Sequence, residues 1–125
     1  MPAPTVLVVE DDPTILQLLE VNFEMEGFIV LRAEDGEQGL TAARESRPDV
    51  IVTDVMMPKM SGLELVRALK ASSATKAIPV ILLSAKAQGA DVRTGLEAGA
   101  DDYVTKPFEP LDLIDRVNAV LLRHG

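Results

Sequence analysis

Cysteine and tryptophan are absent from this sequence of 125 residues, and histidine occurs only at position 124. Without cysteine the chain forms no disulfide and offers neither a thiol nucleophile nor a thiolate ligand for a metal. A single histidine near the C-terminus argues against a histidine-based catalytic pair and against a histidine metal cluster. Any chemistry must therefore depend on carboxylates, hydroxyls and lysine.

The sequence also lacks net positive charge, a long apolar run and many aromatic residues. Its net charge is −8 and its 12 Lys and Arg residues are scattered, so we expect no direct binding to nucleic acid or to anionic membranes. It has no apolar run of about 18 residues and no charged-then-apolar leader, and we expect a cytoplasmic protein. With 47% hydrophobic but only 3% aromatic residues, the composition predicts one domain, residues 1–125, with an aliphatic core.

Short apolar runs alternate along the chain with segments of helical periodicity. Val50 to Val52, for example, form a β-branched run that is typical of a strand covered on both faces. Asp12 followed by Pro13 indicates a helix N-cap and a first helical residue. The predicted strands are 5–9, 28–32, 50–52, 79–83 and 102–105, and the predicted helices are 13–26, 37–46, 61–69, 88–98 and 111–121.

Five strands alternating with five helices predict an α/β protein with a parallel sheet covered by helices on both faces. The expected architecture is a flavodoxin-like (βα)5 three-layer sandwich with strand order 2-1-3-4-5. Ligands of such open sheets bind beyond the carboxyl ends of the strands, where the strand order reverses. In this order the reversal lies between the first and third strands.

Polar residues stand at the ends of four predicted strands: Glu10 and Asp11 after the first, Asp54 after the third, Ser84 after the fourth and Lys106 after the fifth. Three carboxylates in one crevice repel one another and favour a hard divalent cation, for which Mg²⁺ is the best match. Each residue also has a structural interpretation. Glu10 and Asp11 could cap the first helix, Asp54 could form a turn, Ser84 could be a helix N-cap and Lys106 a solvated loop cation.

Together these residues favour phosphoryl transfer over acid–base hydrolysis. Asp54 would attack phosphorus and become an acyl phosphate, Lys106 would offset charge on the phosphoryl oxygens, and Ser84 would donate a hydrogen bond to one of them. Mg²⁺ would offset the remaining charge.

The motifs resemble those of the receiver domains of two-component response regulators, and the resemblance covers essentially the whole chain. The matching segments, in order, are Val8 to Pro13, Asp54 to Pro58 with Ser61-Gly62, Ser84-Ala85, Gly99 to Tyr103, and Lys106-Pro107-Phe108. The resemblance implies that Asp54 is the phosphoacceptor, that Ser84 and Lys106 contact the phosphoryl group, and that the Lys106–Pro107 bond is cis. It further implies that Asp11, Asp54 and the backbone carbonyl of Met56 bind Mg²⁺, with Glu10 assisting through water.

The same resemblance implies a switch, in which Ser84 moves toward the phosphoryl group and Tyr103 turns inward, changing the face formed by the fourth helix, the fifth strand and the fifth helix. The alternative for Tyr103 is a half-exposed strand aromatic. The last helix resembles that of the winged-helix transcription-factor subfamily, whose receivers dimerise through this face. The candidate dimer residues are Asp101, Asp102, Asp112, Arg116 and Arg123, although Val92 stands where a basic partner of Asp112 is expected.

Three residues around the phosphoryl group are expected to tune its access and lifetime. The small Ala85 would leave it accessible, while Met56 and Lys86 occupy positions that flank it in the family. An apolar Met56 cannot orient a hydrolytic water, and we predict a fairly long-lived acyl phosphate.

The leading interpretation is thus a phosphorylation-switched signalling module that receives a phosphoryl group from a histidine kinase or a phosphotransfer protein. We expect it to catalyse at most its own phosphorylation and dephosphorylation. A flavodoxin-like or phosphatase-type α/β enzyme is the alternative, but no second acid follows Asp54 at a catalytic spacing, because Met56 stands two residues on. A flavin-binding module would need a glycine-rich phosphate loop where this chain has Glu10 and Asp11.

Overall fold

The computed structural model describes residues 3–85 and 88–124, which fold as alternating strands and helices. The strands are β1 (Thr5–Val9), β2 (Ile29–Ala33), β3 (Val50–Asp54), β4 (Val80–Ser84) and β5 (Asp102–Thr105). The helices are α1 (Pro13–Met25), α2 (Gly36–Ser46), α3 (Gly62–Lys70), α4 (Gly89–Ala98) and α5 (Pro110–His124). All ten predicted elements are present, and most of their ends differ from the prediction by one residue or a few.

The five strands form one parallel sheet in the order β2-β1-β3-β4-β5. This confirms the predicted fold class and strand order. β1 pairs with β3 in a register that sets Val9 opposite Thr53, so the residues that follow β1 and the last residue of β3 meet at the same edge. Ser84 and Thr105 are likewise opposite each other at the ends of β4 and β5.

Alternate residues of the central strands enter two separate apolar clusters because successive side chains of a strand point to opposite faces. Val6 and Val8 lie in one cluster, which is completed by α1 and α5. Leu7 and Val9 lie in the other, which α2 and α3 cover and against which α4 packs. The three layers follow directly from this arrangement.

Local capping signals fix the helices that begin beside the carboxyl edge of the sheet. The side chain of Asp12 accepts hydrogen bonds from the N–H groups of Thr14 and Ile15, at 2.9 and 3.4 Å, which confirms it as the N-cap of α1. Ser61 and Glu64 form a reciprocal capping box at the start of α3. Within the residues described, none of the helices is long and apolar enough to cross a bilayer.

Candidate functional site

Three carboxylates meet at the carboxyl edge of the sheet, where the strand order reverses. Glu10, Asp11 and Asp54 each contribute an oxygen, and these three oxygens lie within 4.8 Å of one another. Glu10 and Asp54 are buried, with 1% and 6% of their surface exposed, whereas Asp11 is exposed. The backbone N–H of Glu10 donates to the Ala33 carbonyl at 3.0 Å, which prolongs the pairing of β1 with β2 and directs the acid into the site.

Lys106 joins two of these acids. Its ammonium lies 2.9 Å from Oε1 of Glu10 and 3.0 Å from Oδ2 of Asp54, and its side chain is only 18% exposed. To make these contacts the side chain reaches from the end of β5 across the end of β4. The alternative of a solvated loop cation is therefore wrong for Lys106.

Burial and the contacts between Lys106 and the acids act in opposite directions on the pKa values of Glu10 and Lys106. Burial raises the pKa of Glu10 to about 7, and the nearby Asp54 charge acts in the same direction, while the hydrogen bonds from Lys106 and from the Asp12 N–H oppose the rise. Burial alone would lower the pKa of Lys106, but its hydrogen bonds and charge interactions with Glu10 and Asp54 raise it overall. The lysine therefore stays charged, and the site holds more negative charge than Lys106 can balance.

Asp54 is the last residue of β3 and lies at the start of a tightly held loop. Its Oδ1 accepts a hydrogen bond from the N–H of Met56 at 3.3 Å, as a turn-forming aspartate would, while its Oδ2 binds Lys106. The Val55 N–H donates to the Leu83 carbonyl, and the Gly62 N–H donates to the Val55 carbonyl, both at 2.9 Å. An added Cβ at Gly62 would collide with the Asp54 carbonyl, so only glycine lets α3 begin this close to β3.

Ser84 is fully buried at the end of β4. The N-cap of α4 is Gln88, so the alternative that Ser84 caps this helix is wrong. The backbone N–H of Lys106 donates to the Ser84 carbonyl at 2.8 Å, which links the two residues predicted to contact a phosphoryl group. The predicted cis bond between Lys106 and Pro107 is confirmed.

The acidic cluster fits a hard divalent ion. Its donors are carboxylate oxygens, two of the three carboxylates are buried, and the exposed Asp11 lines an open crevice of about 430 Å³ together with Met56 and Ser61. Such a donor set, open on one side to water, suits Mg²⁺, which binds through one or two carboxylates and retains several waters. The Met56 carbonyl as a ligand stays a prediction. Lys86 lies outside the described residues.

Tyr103 is buried, with 8% of its surface exposed, so the alternative of a half-exposed strand aromatic is wrong. An added Cβ at Gly95 of α4 would lie 2.9 Å from the Tyr103 ring, so this glycine lets the helix pack directly on the ring. Val92, also on α4, packs against the apolar cluster of that face. The position predicted to lack a basic partner for Asp112 is therefore part of the helix's packing surface.

Two of the candidate dimer acids contact basic side chains within the chain. Asp102 contacts the Arg116 guanidinium at 3.0 Å, and Asp101 contacts Nε2 of His124 at 3.0 Å. Asp101 also accepts a hydrogen bond from the Val80 N–H at 2.9 Å. Asp112 and Arg123 are exposed. The contact of His124 with Asp101 was not predicted, because its position in the C-terminal tail, beyond the predicted helix 111–121, gave no specific signal.

Comparison with known sequences identifies the family of this chain. A model of the response regulator receiver domain matches residues 6–118. The DNA-binding response regulator MtrA of Mycolicibacterium smegmatis is 46% identical over 119 residues, which are 95% of this chain and 51% of MtrA. The transcriptional regulatory protein CseB of Streptomyces coelicolor is 48% identical over 120 residues, which are 96% of this chain and 50% of CseB. The chain thus spans about half the length of these curated relatives.

Solved structures agree with the sequence matches. The receiver domain of Francisella response regulator 1452 superposes with a TM-score of 0.92 at 39% identity, over 98% of this chain and 99% of that one. The chemotaxis response regulator CheY4 of Vibrio cholerae superposes with a TM-score of 0.89 at 33% identity, over 94% and 98% of the two chains. Fold, motif positions and sequence matches all agree, and the chain belongs to the family of response regulator receiver domains.

Proposed function

We propose that this chain is a single receiver domain, residues 1–125, which is phosphorylated on Asp54 by a histidine kinase or a phosphotransfer protein. The observation that carries the proposal is the placement of Lys106, whose ammonium contacts both Glu10 and Asp54 inside an acidic cluster. A buried cation beside a nucleophilic carboxylate is the arrangement that phosphoryl transfer needs, because catalysis of that reaction depends on positioning and charge stabilisation.

In the transfer step, an oxygen of the Asp54 carboxylate attacks phosphorus and forms the new P–O bond of an acyl phosphate. The bond from phosphorus to the donor nitrogen breaks, and its electron pair leaves with the imidazole of the donor histidine. Lys106 offsets charge on the phosphoryl oxygens, and the Ser84 hydroxyl donates a hydrogen bond to one of them. The Ser84 carbonyl, bonded to the Lys106 N–H, keeps these two residues in register.

Mg²⁺ is the cofactor we assign to the acidic cluster. Asp11, Asp54 and the Met56 carbonyl would hold it, and Glu10 would assist through a bound water. When bound, it neutralises charge on the phosphoryl oxygens. Among the described residues, Lys106 is the only side-chain cation that contacts Glu10 and Asp54.

The phosphoryl donor protein needs a surface beside Asp54 on which to dock. An apolar groove of about 380 Å³ lies next to the site and shares Lys106 with it; its other lining residues are Ile15, Leu18, Ala85, Pro107 and Phe108. Leu18 is 45% exposed, so this apolar side chain is accessible to a partner. Docking of an apolar surface of the donor in this groove would bring its phosphohistidine to the crevice.

The output we propose is a change of the surface formed by α4, β5 and α5. Tyr103 packs against α4 at Gly95, so a movement of Ser84 toward the phosphoryl group would be transmitted to the helix through this ring. A phosphorylation-dependent homodimer would use Asp101, Asp102, Asp112, Arg116 and Arg123. Because Asp102 pairs with Arg116 within the chain, a dimer must exchange or share this ion pair.

MtrA is named as a DNA-binding response regulator, but we assign no DNA contact to this chain, since its net charge of −8 opposes phosphate binding. We infer a cytoplasmic signalling protein that does not turn over external substrates. The alternative, a flavodoxin-like or phosphatase-type enzyme, would need a second acid that follows Asp54 at a catalytic spacing, but the residue two positions on is Met56.

The deciding experiment is incubation with acetyl phosphate and Mg²⁺, followed by intact mass spectrometry. The wild type should gain one phosphoryl group, and Asp54→Asn and a sample with EDTA should gain none. Continuous consumption of acetyl phosphate without any modification of Asp54 would contradict the receiver function and favour the enzyme.

A further inference from the structure

The start of α2 lies directly against the loop that follows Asp54. An added Cβ at Gly36, the first residue of α2, would lie 2.5 Å from the Met60 carbonyl oxygen and 2.7 Å from the Met60 Cβ. Real Cβ atoms do not approach backbone oxygens this closely, so the contact exists only because position 36 carries no side chain. Met60 of the loop therefore packs directly against the backbone of α2 at Gly36.

The loop is strained at the point of this contact. The Met60 N–H donates to the Pro58 carbonyl at 2.7 Å, and Lys59 between them has a positive φ of 67°. A hydrogen bond from residue i+2 to residue i around a positive φ defines the rarer and more strained form of γ-turn. Such a turn persists only where its surroundings hold it.

Asp35 provides a second contact to the same turn. It is buried, and its Oδ1 accepts a hydrogen bond from the Gln38 N–H at 2.8 Å, which caps α2. Its Oδ2 lies 3.6 Å from the Lys59 ammonium. The Lys59 side chain is 62% exposed, so we expect this ion pair to contribute less than the Gly36 contact.

The Gly62-to-Val55 hydrogen bond closes the loop, and Gly36 supports the closed loop at Met60. Met56 lies between Val55 and Met60 in the sequence. We propose that Gly36 is a positioning residue for the Mg²⁺ site. Gly36 holds the loop so that the Met56 carbonyl faces the acidic cluster. This inference rests on the proposed function of Asp54 and Met56.

The test compares Gly36→Ala with Gly89→Ala. Both glycines are the first residue of a helix, but an added Cβ at Gly89 would meet only the end of the Arg93 side chain, at 3.9 Å. The initial rate of Asp54 phosphorylation by acetyl phosphate is measured against Mg²⁺ concentration. Gly36→Ala should raise the half-saturating Mg²⁺ concentration by about tenfold, the lower end of what outer contacts of metal ligands contribute. The rate at saturating Mg²⁺ should be unchanged, and Gly89→Ala should match the wild type.

Asp35→Asn should weaken Mg²⁺ binding less than Gly36→Ala does. The amide oxygen can still accept the Gln38 N–H, so the cap survives while the charge facing Lys59 is lost. We expect the half-saturating Mg²⁺ concentration to rise by less than about threefold, as for an exposed ion pair.

A folded Gly36→Ala protein with the wild-type half-saturating Mg²⁺ concentration would overturn the proposal. So would a lower rate that saturating Mg²⁺ does not restore, since that indicates general structural damage. If the variant does not fold, Mg²⁺ titration of the ¹⁵N-labelled wild type decides, because the Gly36 amide resonance should shift along with that of Met56, and an unmoved Gly36 overturns the role. A wild type that is not phosphorylated on Asp54 refutes the proposed function instead.

Discussion

Replacing Glu10 with glutamine should remove a pH dependence of stability that the wild type shows in metal-free buffer. Glu10 is 1% exposed, and burial raises its pKa to about 7 from an unfolded value of 4.5. Between these two values the folded state holds a proton that the unfolded state has lost, so the free energy of unfolding falls as pH rises through this window. Glutamine has nearly the same shape and does not titrate.

The size of the effect follows from the two pKa values. The difference between 4.5 and about 7 corresponds to about 3 kcal/mol, at roughly 1.4 kcal/mol for each tenfold change in proton affinity. The hydrogen bond from Lys106 opposes the effect of burial, and a pKa of about 7 is the result of both. Wild type and Glu10→Gln should therefore unfold with similar free energies near pH 4.5, and the variant should be more stable by about 3 kcal/mol at pH 8.

Urea unfolding at several pH values, followed by far-UV circular dichroism, measures the difference directly. Taking the difference in unfolding free energy between the two proteins removes the contribution of the carboxylates that titrate alike in both. Adding Mg²⁺ at pH 8 should narrow the gap, because a cation near Glu10 favours its charged form. Parallel stability curves from pH 4.5 to 8 would refute the reasoning, and a less stable variant at pH 8 would mean that attraction to Lys106 exceeds the cost of burial.

Three further substitutions test other parts of the structure. Gly62→Ala should destabilise the protein by about 1–3 kcal/mol in urea unfolding because its Cβ collides with the Asp54 carbonyl, whereas a loss equal to that of Gly89→Ala would contradict the close approach. Met56→Asn should shorten the lifetime of the acyl phosphate, because a polar side chain can orient water. Intact mass spectrometry measures this lifetime, with Met56→Leu as the control. An unchanged dephosphorylation rate for Met56→Asn would count against the prediction. Asp101→Ala should lower the free energy of unfolding by about 1–2 kcal/mol in the same urea assay, since it leaves the Val80 N–H without its side-chain acceptor. Asp101→Asn should lose less stability. Equal losses for the two variants would point to the His124 contact instead.

The fold and the composition of the site could be predicted from the sequence because both depend on local signals. Apolar runs such as Val50 to Val52 identify buried strands. Parallel strands present their carboxyl ends at one edge, so the acids at the ends of β1 and β3 meet there. Asp12 capped α1 as predicted because an N-cap depends only on residues within a few positions.

Contacts between distant elements could not be predicted in this way. No periodicity indicates that Lys106 reaches past β4 to Glu10, that Tyr103 lies buried against Gly95, or that Gly36 supports Met60. Each of these depends on how closely two elements approach, which is set by packing over the whole domain. In the sequence, Asp35 and Gly36 indicate only that a helix begins there.

The division of the interior into two clusters has a consequence for protein engineering. None of the residues of the cluster under α1 and α5 belongs to the cluster under α2 and α3, because the sheet separates them. Core residues on one face, such as Val117, can therefore be redesigned while Leu69 and its neighbours on the other keep their packing, and stability changes from the two faces should add. Tyr103 belongs to only one of these clusters, so a library confined to the α1 and α5 side could raise stability without altering the packing of this residue.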